Sequence, residues 1–478
     1  MSWRLVVLGV LVLAIDTTLA TSCPQSPQHV QIPNSFTEIV ASAYAQCPNV
    51  LSLDFEANST LKTIGNYSFF QARDLTGNLT IPSSVTEIGI EAFRETAITG
   101  LKFEANSVLK TIGTRSFNQA VDLTGNLTIP STVTEIGDGA FESTGITSLS
   151  FEANSSLETI GETTFADTQN FVGNLEIPSS VTEIGKEAFI HTAITSLNFE
   201  ANSSLETIRN LTFAYAFDLT GNLDIPSSVT EIGREAFRET AITGLSFEAN
   251  SSLETIGDKA FYKAINLTGN LVIPSAVTEI GAYAFKKTGI TSLSFEANSN
   301  LVTIGYEAFA YANNFAVATI PASVVSVGTD VFRECLSLTR VIVSGDNDLL
   351  GDTSSLNLVE TLCSLGGNSC IEGNGNRASN IINHANNTCG LNYCGMPTSV
   401  PTSPPNSAPT SPPNSAPSST SADSDTDDDT LGVGAIVGIS LGGAALLGGI
   451  VWFLRHRMRE PIRARIAHAT VRVGELFF

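Results

Sequence analysis

The phrase "FEANSSLETIG" runs from Phe151 to Gly161, returns intact at Phe247–Gly257, and returns at Phe199–Arg209 with Arg in place of the last Gly. Close variants begin at Phe55, Phe103 and Phe295, so six copies follow one another at intervals of 48 residues. A looser period lies inside each interval. Val181, Ile184 and Phe189 recur as Leu205, Ile208 and Phe213, then as Val229, Ile232 and Phe237. The elementary unit is therefore about 24 residues, in two alternating flavours. A unit this short cannot bury its own apolar side, so stacked copies must share one continuous core, like residue over like.

Three columns express that demand. An Ile column runs from Ile39 through Ile184 and Ile208 to Ile304 and ends in Val327. Five residues after each member stands an aromatic, Tyr44 first and then Phe69 through Phe309 to Phe332 (the last again five residues on). Three further on comes Cys, Ala or Thr, from Cys47 to Cys335, where the coil is tightest. Burying each Phe contributes roughly 1.5–3 kcal/mol of transfer free energy. "AITSLNFEANSSL" (Ala193–Leu205) places Ile194, Leu197, Phe199, Asn202 and Leu205 in an L-x-x-L-x-L-x-x-N spacing. Leu197 and Phe199 alternate with outward residues, as a short strand requires. Asn202 is expected to point inward and bond backbone at the turn. The other flavour, "LTGNLDIPSSV" (Leu219–Val229), keeps Leu223 and Ile225 and puts Ser228 at the Asn position. Its strand should end at Pro226, which cannot donate to a ladder.

"LTIPSSVTEIGIEAFRET" (Leu79–Thr96) and "VFRECLSLTRVIV" (Val331–Val343) resemble the BspA-type leucine-rich repeat family over about Phe36 to Val343. The final Cys of the family phrase is replaced by Thr or Ala in all but the first and last units, where a small buried residue serves equally. The resemblance implies a leucine-rich-repeat solenoid of about 13 repeats, with parallel β strands on its concave face. It also implies ligand binding or adhesion rather than catalysis, in proteins mostly secreted or anchored at the surface of bacteria and protists.

The segments around the repeats suggest where the chain resides. Residues 1–20 carry one Arg, an apolar run from Leu5 to Ile15 and a small-residue exit at Ala20, the pattern of a secretory signal peptide. The repeats fill 21–343. Residues 344–396 gather Cys363, Cys370, Cys389 and Cys394, expected to staple a cap over the open core, with a zinc site including His384 as the alternative. Cys23 either pairs with Cys47 at the front or leaves Cys47 to pack as a small residue; Cys335 is the expected unpaired thiol. Residues 397–430 read as a Ser/Thr/Pro-rich stalk suited to O-glycans, residues 431–454 as a transmembrane helix, and 455–478 as a basic cytoplasmic tail. The expectation is a single-pass type I protein of the plasma membrane, repeats outside. Gly434, Gly438 and Gly442 form a stripe that would let two such helices pack as a homodimer.

Acidic residues outnumber basic ones 47 to 24, a net charge of −23 that repels phosphate backbones, so nucleic acid is not an expected partner. Only His29, His191 and His384 lie outside the expected membrane and tail segments, with no nucleophile motif beside them. No catalysis and no cofactor are expected. The candidate ligand surface is the outward side of the strands: Glu152, Glu176, Asn198, Glu200, Asp224 and Glu248. Glu residues of alternate units should sit about 10 Å apart. Such a track would suit a basic protein surface or a Ca²⁺-bridged ligand, or be a solvated face copied with its repeat. The expected partner is a protein or glycan on another cell or matrix; a structural surface coat and a signalling co-receptor are the rivals.

N-x-S/T sequons sharpen the map. Asn66 and Asn210 lie between the Ile and Phe columns and should be glycosylated. Asn78, Asn126 and Asn266 are assigned to the openings of second-flavour strands, with sugar along the rim. Asn174 and Asn222 lack the Ser/Thr, which leaves a sugar-free window over Glu152–Glu248. Asn58, Asn154, Asn202 and Asn250 occupy the inward slot, where a glycan would not fit.

Overall fold

The computed structural model describes residues 23–344, together with the backbone of two short strands, Cys370–Glu372 and Asn392–Tyr393. The expected leader, Cys363, Cys389, Cys394, His384, the stalk, the 431–454 span with Gly434, Gly438 and Gly442, and the tail lie outside the described residues. So does the side chain of Cys370. Among the described residues no helix is long and apolar enough to cross a membrane.

The repeats form a parallel solenoid. Its unbroken element is a sheet of 13 two-residue strands, one per unit, from Glu38–Ile39 to Ser326–Val327. Ile pairs with Ile at each step, as Ile160 with Ile184 and Ile184 with Ile208. A second continuous ladder lies at the Phe turns. There the N–H groups of Glu187, Phe189 and His191 donate to the carbonyls of Asn210, Thr212 and Ala214 one turn later, and the pattern recurs along the array.

Between these ladders the aromatic column is filled as the sequence requires. Phe141, Phe165, Phe189 and Phe213 are fully buried, with centroids 5.3–5.4 Å apart and planes within 10° of parallel. That spacing lies within the favourable range for aromatic pairs. The small column lies beneath. Its Thr hydroxyls donate to the Phe carbonyl three residues back, as Thr192 to Phe189 at 2.9 Å, so no buried donor in that column is wasted. Cys23 and Cys47 form a disulfide at the front of the array, and Cys335 is buried and free. Burial pushes the Cys335 thiol up to about 12.

The longer strands depart from a single continuous sheet. They pair by twos, second flavour with the first-flavour strand that follows: Thr124–Ile129 with Gly145–Phe151, and Val172–Ile177 with Ala193–Phe199. Only the last of these pairs extends into a longer sheet, of six strands. The residue that follows each strand differs between the flavours. After a first-flavour strand comes Glu, whose N–H donates back to the preceding turn, as Glu200 to Ile177 at 3.0 Å. After a second-flavour strand the same position is Pro178 or Pro226, with no N–H to give.

One unit breaks the pattern. In the column after Ile, each Gly from Gly65 to Gly328 donates its N–H to the Ile carbonyl of the turn before. Arg209 replaces Gly there and makes no such bond. Its side chain reaches Glu183 instead, at 2.7 Å. The strands that follow, Asn222–Ile225 and Gly244–Phe247, have four residues each, against six and seven in the pair two units earlier, Val172–Ile177 and Ala193–Phe199.

Candidate functional site

Strand alternation and the turn beyond it sort the six acidic and amide candidates into two sets. Glu176, Asn198 and Asp224 stand on strands, exposed, with inward neighbours on either side. Glu176 lies directly across from Asn198 in the register. Glu152, Glu200 and Glu248 are not strand residues: each follows a strand ending in Phe151, Phe199 or Phe247. There the chain turns, and each carboxylate reaches back one unit to accept the N–H of the residue after Pro. Ser131, Ser179 and Ser227 donate these bonds, all at 2.9 Å. The carboxylate satisfies the N–H of the residue after Pro, so this half of the acidic track closes turns. Glu200→Ala should therefore cost about 0.5–1.5 kcal/mol in denaturant unfolding, while Glu176→Ala, which closes no turn, should leave the midpoint unchanged.

The remaining strand-face polar groups bond to one another. Asn174 accepts from the Ser196 hydroxyl at 2.9 Å and from the Asn198 amide at 2.8 Å. Asn222 donates to Ser246 at 2.7 Å, and Ser246 donates to Asp224 at 2.9 Å. Beside this ladder lies an open hollow of about 230 Å³, lined by Ser150, Asn174, Glu176, Pro178 and Glu200 among others. It joins Glu176 and Glu200; Asn198, Asp224, Glu152 and Glu248 do not line it.

Two of the sequon readings need adjustment. At Asn66 and Asn210, both exposed, Oδ1 accepts the N–H of the next turn from Ile90 and Arg234 at 2.8 Å. Nδ2, the atom a glycan takes, is left to solvent. Asn58, Asn154, Asn202 and Asn250 do not point inward: each is exposed, with φ between 56° and 60°. The turn needs a left-handed residue there, which Asn tolerates best after Gly. The next residue does the inward bonding, as Ser203 Oγ accepts the Leu205 N–H. Asn266 does not open a strand. It precedes Thr268–Ile273 by two residues, while the true counterpart of Asn78 and Asn126 is Asn270. The upper edge of the sugar-free window, drawn at Asn266, therefore marks a different part of the coil.

A second strip went unread in the sequence. Two left-handed positions flank every Phe of the column, such as Glu187 and His191 around Phe189, or Lys259 and Lys263 around Phe261. Left-handed backbone costs an L-residue about 1–2 kcal/mol. Elsewhere the chain meets that need with Asn (Asn58 to Asn298) or Gly (Gly77 to Gly269). Around the Phe column it carries Tyr, Arg, Lys, Glu, Leu and His, and in other units Ser, Gln, Thr or Asp, with Gly139 the one glycine. Between Tyr215 and Tyr311 this ridge carries Tyr and Lys, interleaved with Glu235, Glu239 and Glu307. Arg238 lies over the rings of Tyr215 and Tyr262, at 5.1 and 5.3 Å. It also donates to Glu235 at 2.9 Å. Burial works to raise Glu235, but the Arg238 and Arg234 contacts outweigh it and hold the carboxyl below its ordinary range.

The profile of the BspA type leucine rich repeat region matches residues 21–124, 135–268 and 245–355. The chain belongs to this family. Among solved structures this BspA-type chain is similar to a leucine-rich repeat protein from Bacteroides ovatus, at 20% identity over 73% of this chain and 92% of that one, TM-score 0.43. It is also similar to the pneumococcal vaccine antigen PcpA, at 15% identity over 80% and 85% of the two chains, TM-score 0.36. A leucine rich cell surface protein from Faecalibacterium prausnitzii matches at 21% identity over 74% and 81%, TM-score 0.32. No curated protein matches. BspA-type repeats are binding scaffolds, and the family is typically non-enzymatic.

Proposed function

We propose that this chain is a cell-surface recognition or adhesion protein that binds a protein or glycan ligand through the solenoid surface. In this reading it is anchored by the 431–454 segment, with the repeats outside and sugars at Asn66, Asn210, Asn78 and Asn126. One observation carries it. Two unbroken backbone ladders and a stacked aromatic core hold a long row of exposed polar side chains at fixed spacing, including the Glu176–Glu200 hollow. A rigid, repeating polar surface can meet an extended partner at many points at once, which a compact pocket cannot.

The structural surface coat is favoured by a specific observation of its own: Asn174, Ser196, Asn198, Asn222 and Asp224 already bond to each other. The experiment compares attachment of cells displaying the full chain with cells displaying Glu176→Ala plus Asp224→Ala. Glu200 is left intact to keep its turn closed. Recognition through the strand face predicts several-fold weaker attachment by the variant. Equal attachment by both, and by cells lacking the protein, supports the coat.

A further inference from the structure

We propose that the ridge between Tyr215 and Tyr311, not the strand face, is a binding site for an anionic polysaccharide bearing carboxylate or sulfate groups. This goes beyond the strand-face reading, since it names a different surface.

The backbone argument comes first. Positions with φ between 47° and 61° line the ridge, where the same chain uses Asn or Gly when only the turn matters. Strained backbone that keeps costly side chains points to a use for those side chains. The copies also diverge on this strip: the column of His191 reads His191, Tyr215, Glu239, Lys263, Lys287 and Tyr311 in successive units. The Ile and Phe columns beside it hardly change.

Charge then selects the partner. Four of the chain's eight lysines, Lys259, Lys263, Lys286 and Lys287, fall within this stretch of a protein whose net charge is −23. Lys286 is paired with Glu307 at 2.8 Å and Lys263 with Glu239 at 3.6 Å. Lys287 is different. It is half-buried between the rings of Tyr262 and Tyr311, at 6.0 and 5.9 Å, and no ion pair to it is found among the described residues. A cation held by rings rather than by a carboxylate keeps its charge available to an incoming anion.

Shape narrows the partner to a sugar chain. Next to Lys263 lies an open hollow of about 290 Å³, lined by Phe217, Thr240, Ala241, Ile265 and Asn266 together with Lys263 and its ion-pair partner Glu239. Phe217 and Ile265 are 60% and 66% exposed, which gives the hollow an apolar wall on each side. A space of this volume is at the small end for ligand sites and suits one or two rings of a polymer. Apolar walls meet the C–H faces of a sugar, Thr240 can meet a hydroxyl, and Lys287 meets an acidic group, while Lys263, one turn before it, can meet a second only by exchanging its pair with Glu239. A polyanion would be repelled by the rest of this acidic surface, so the ridge is where it can land.

The test uses purified full-length chain in detergent with fluorescent polygalacturonate and heparin as charged probes and dextran as the neutral one. The variant is Lys263→Glu with Lys287→Glu. Glu95, Glu239 and Glu334 occupy the same column with the same backbone, so the fold accommodates the change. Its unfolding midpoint is checked against wild type. The expected result is binding of a charged probe but not dextran, weakened at least about tenfold by the variant and by high salt. Glu176→Ala with Asp224→Ala should bind the probe as wild type does. Equal affinity for dextran, no binding of either charged probe, or unchanged affinity in the lysine variant would overturn the proposal. Capture of an acidic protein from deglycosylated cells, lost in the lysine variant, would give the ridge to a protein and overturn it too. If only the strand-face variant loses cell attachment, the strand reading stands and this one falls.

Discussion

Phe189→Ala should lower the stability of the solenoid by about 3–5 kcal/mol, the range for truncating a buried aromatic. The ring is fully buried and stacks on both neighbours, 5.3 Å from Phe165 and 5.4 Å from Phe213. One truncation therefore weakens two turn-to-turn interfaces, and in a solenoid those interfaces couple one half of the array to the other. Denaturant unfolding followed by circular dichroism reads both effects. A lower midpoint with an unchanged slope means the array still unfolds as one; a smaller slope means it has split near Phe189. The exposed Phe217 is the internal control, since its truncation removes little buried surface. A loss below about 1 kcal/mol at Phe189 would place it with ordinary surface changes and contradict the shared core.

The columns that make Phe189 matter were legible because each physical need recurs at a fixed spacing. Burial wrote the columns of Ile184, Phe189 and Thr192, the last as Thr, Ala or Cys, into the copies in the same order, and the structure stacks them accordingly. The end of the second-flavour strands at Pro226 was legible for the same local reason. What stayed hidden depends on relations between copies. The Glu200 carboxylate accepts the Ser179 N–H, 21 residues back, because that N–H, in the turn after Pro178, has no backbone acceptor. Neither residue shows this without the coil that brings them together. Asn202 misled because the repeat pattern specifies an Asn without specifying its φ, and here a left-handed turn aims it outward. Asn266 misled because "NLTGN" holds two Asn four residues apart, and only the register shows which one lies in the strand. The ridge stayed unread for a subtler reason: its positions vary, and a search for repeats rewards what does not.

Gly185→Ala is the second large expected loss, about 2–4 kcal/mol from overpacking plus one broken hydrogen bond. A Cβ at Gly185 would come within 2.5 Å of the Gly161 carbonyl carbon and 2.6 Å of its oxygen, so the turns must separate. No flexible side chain is there to yield, and the cost falls on the N–H bond from Gly185 to Ile160, now 2.8 Å. The chain already contains the outcome of such a change. Arg209 occupies the same column, lacks the equivalent bond to Ile184, and is followed by two shortened strands. Arg209→Gly should restore the contact, seen as increased amide protection at residue 209 and at Gly244 in hydrogen exchange. Its surface pair with Glu183 is half-exposed on both sides and contributes at most about 1 kcal/mol, so losing it does not mask the gain in protection. Arg209→Ala separates the causes. If the Cβ alone holds the turns apart, Ala leaves the amide at 209 as exposed to exchange as Arg does. If Ala restores protection as fully as Gly, the long charged side chain opened the coil, and the steric account of the whole glycine column fails with it.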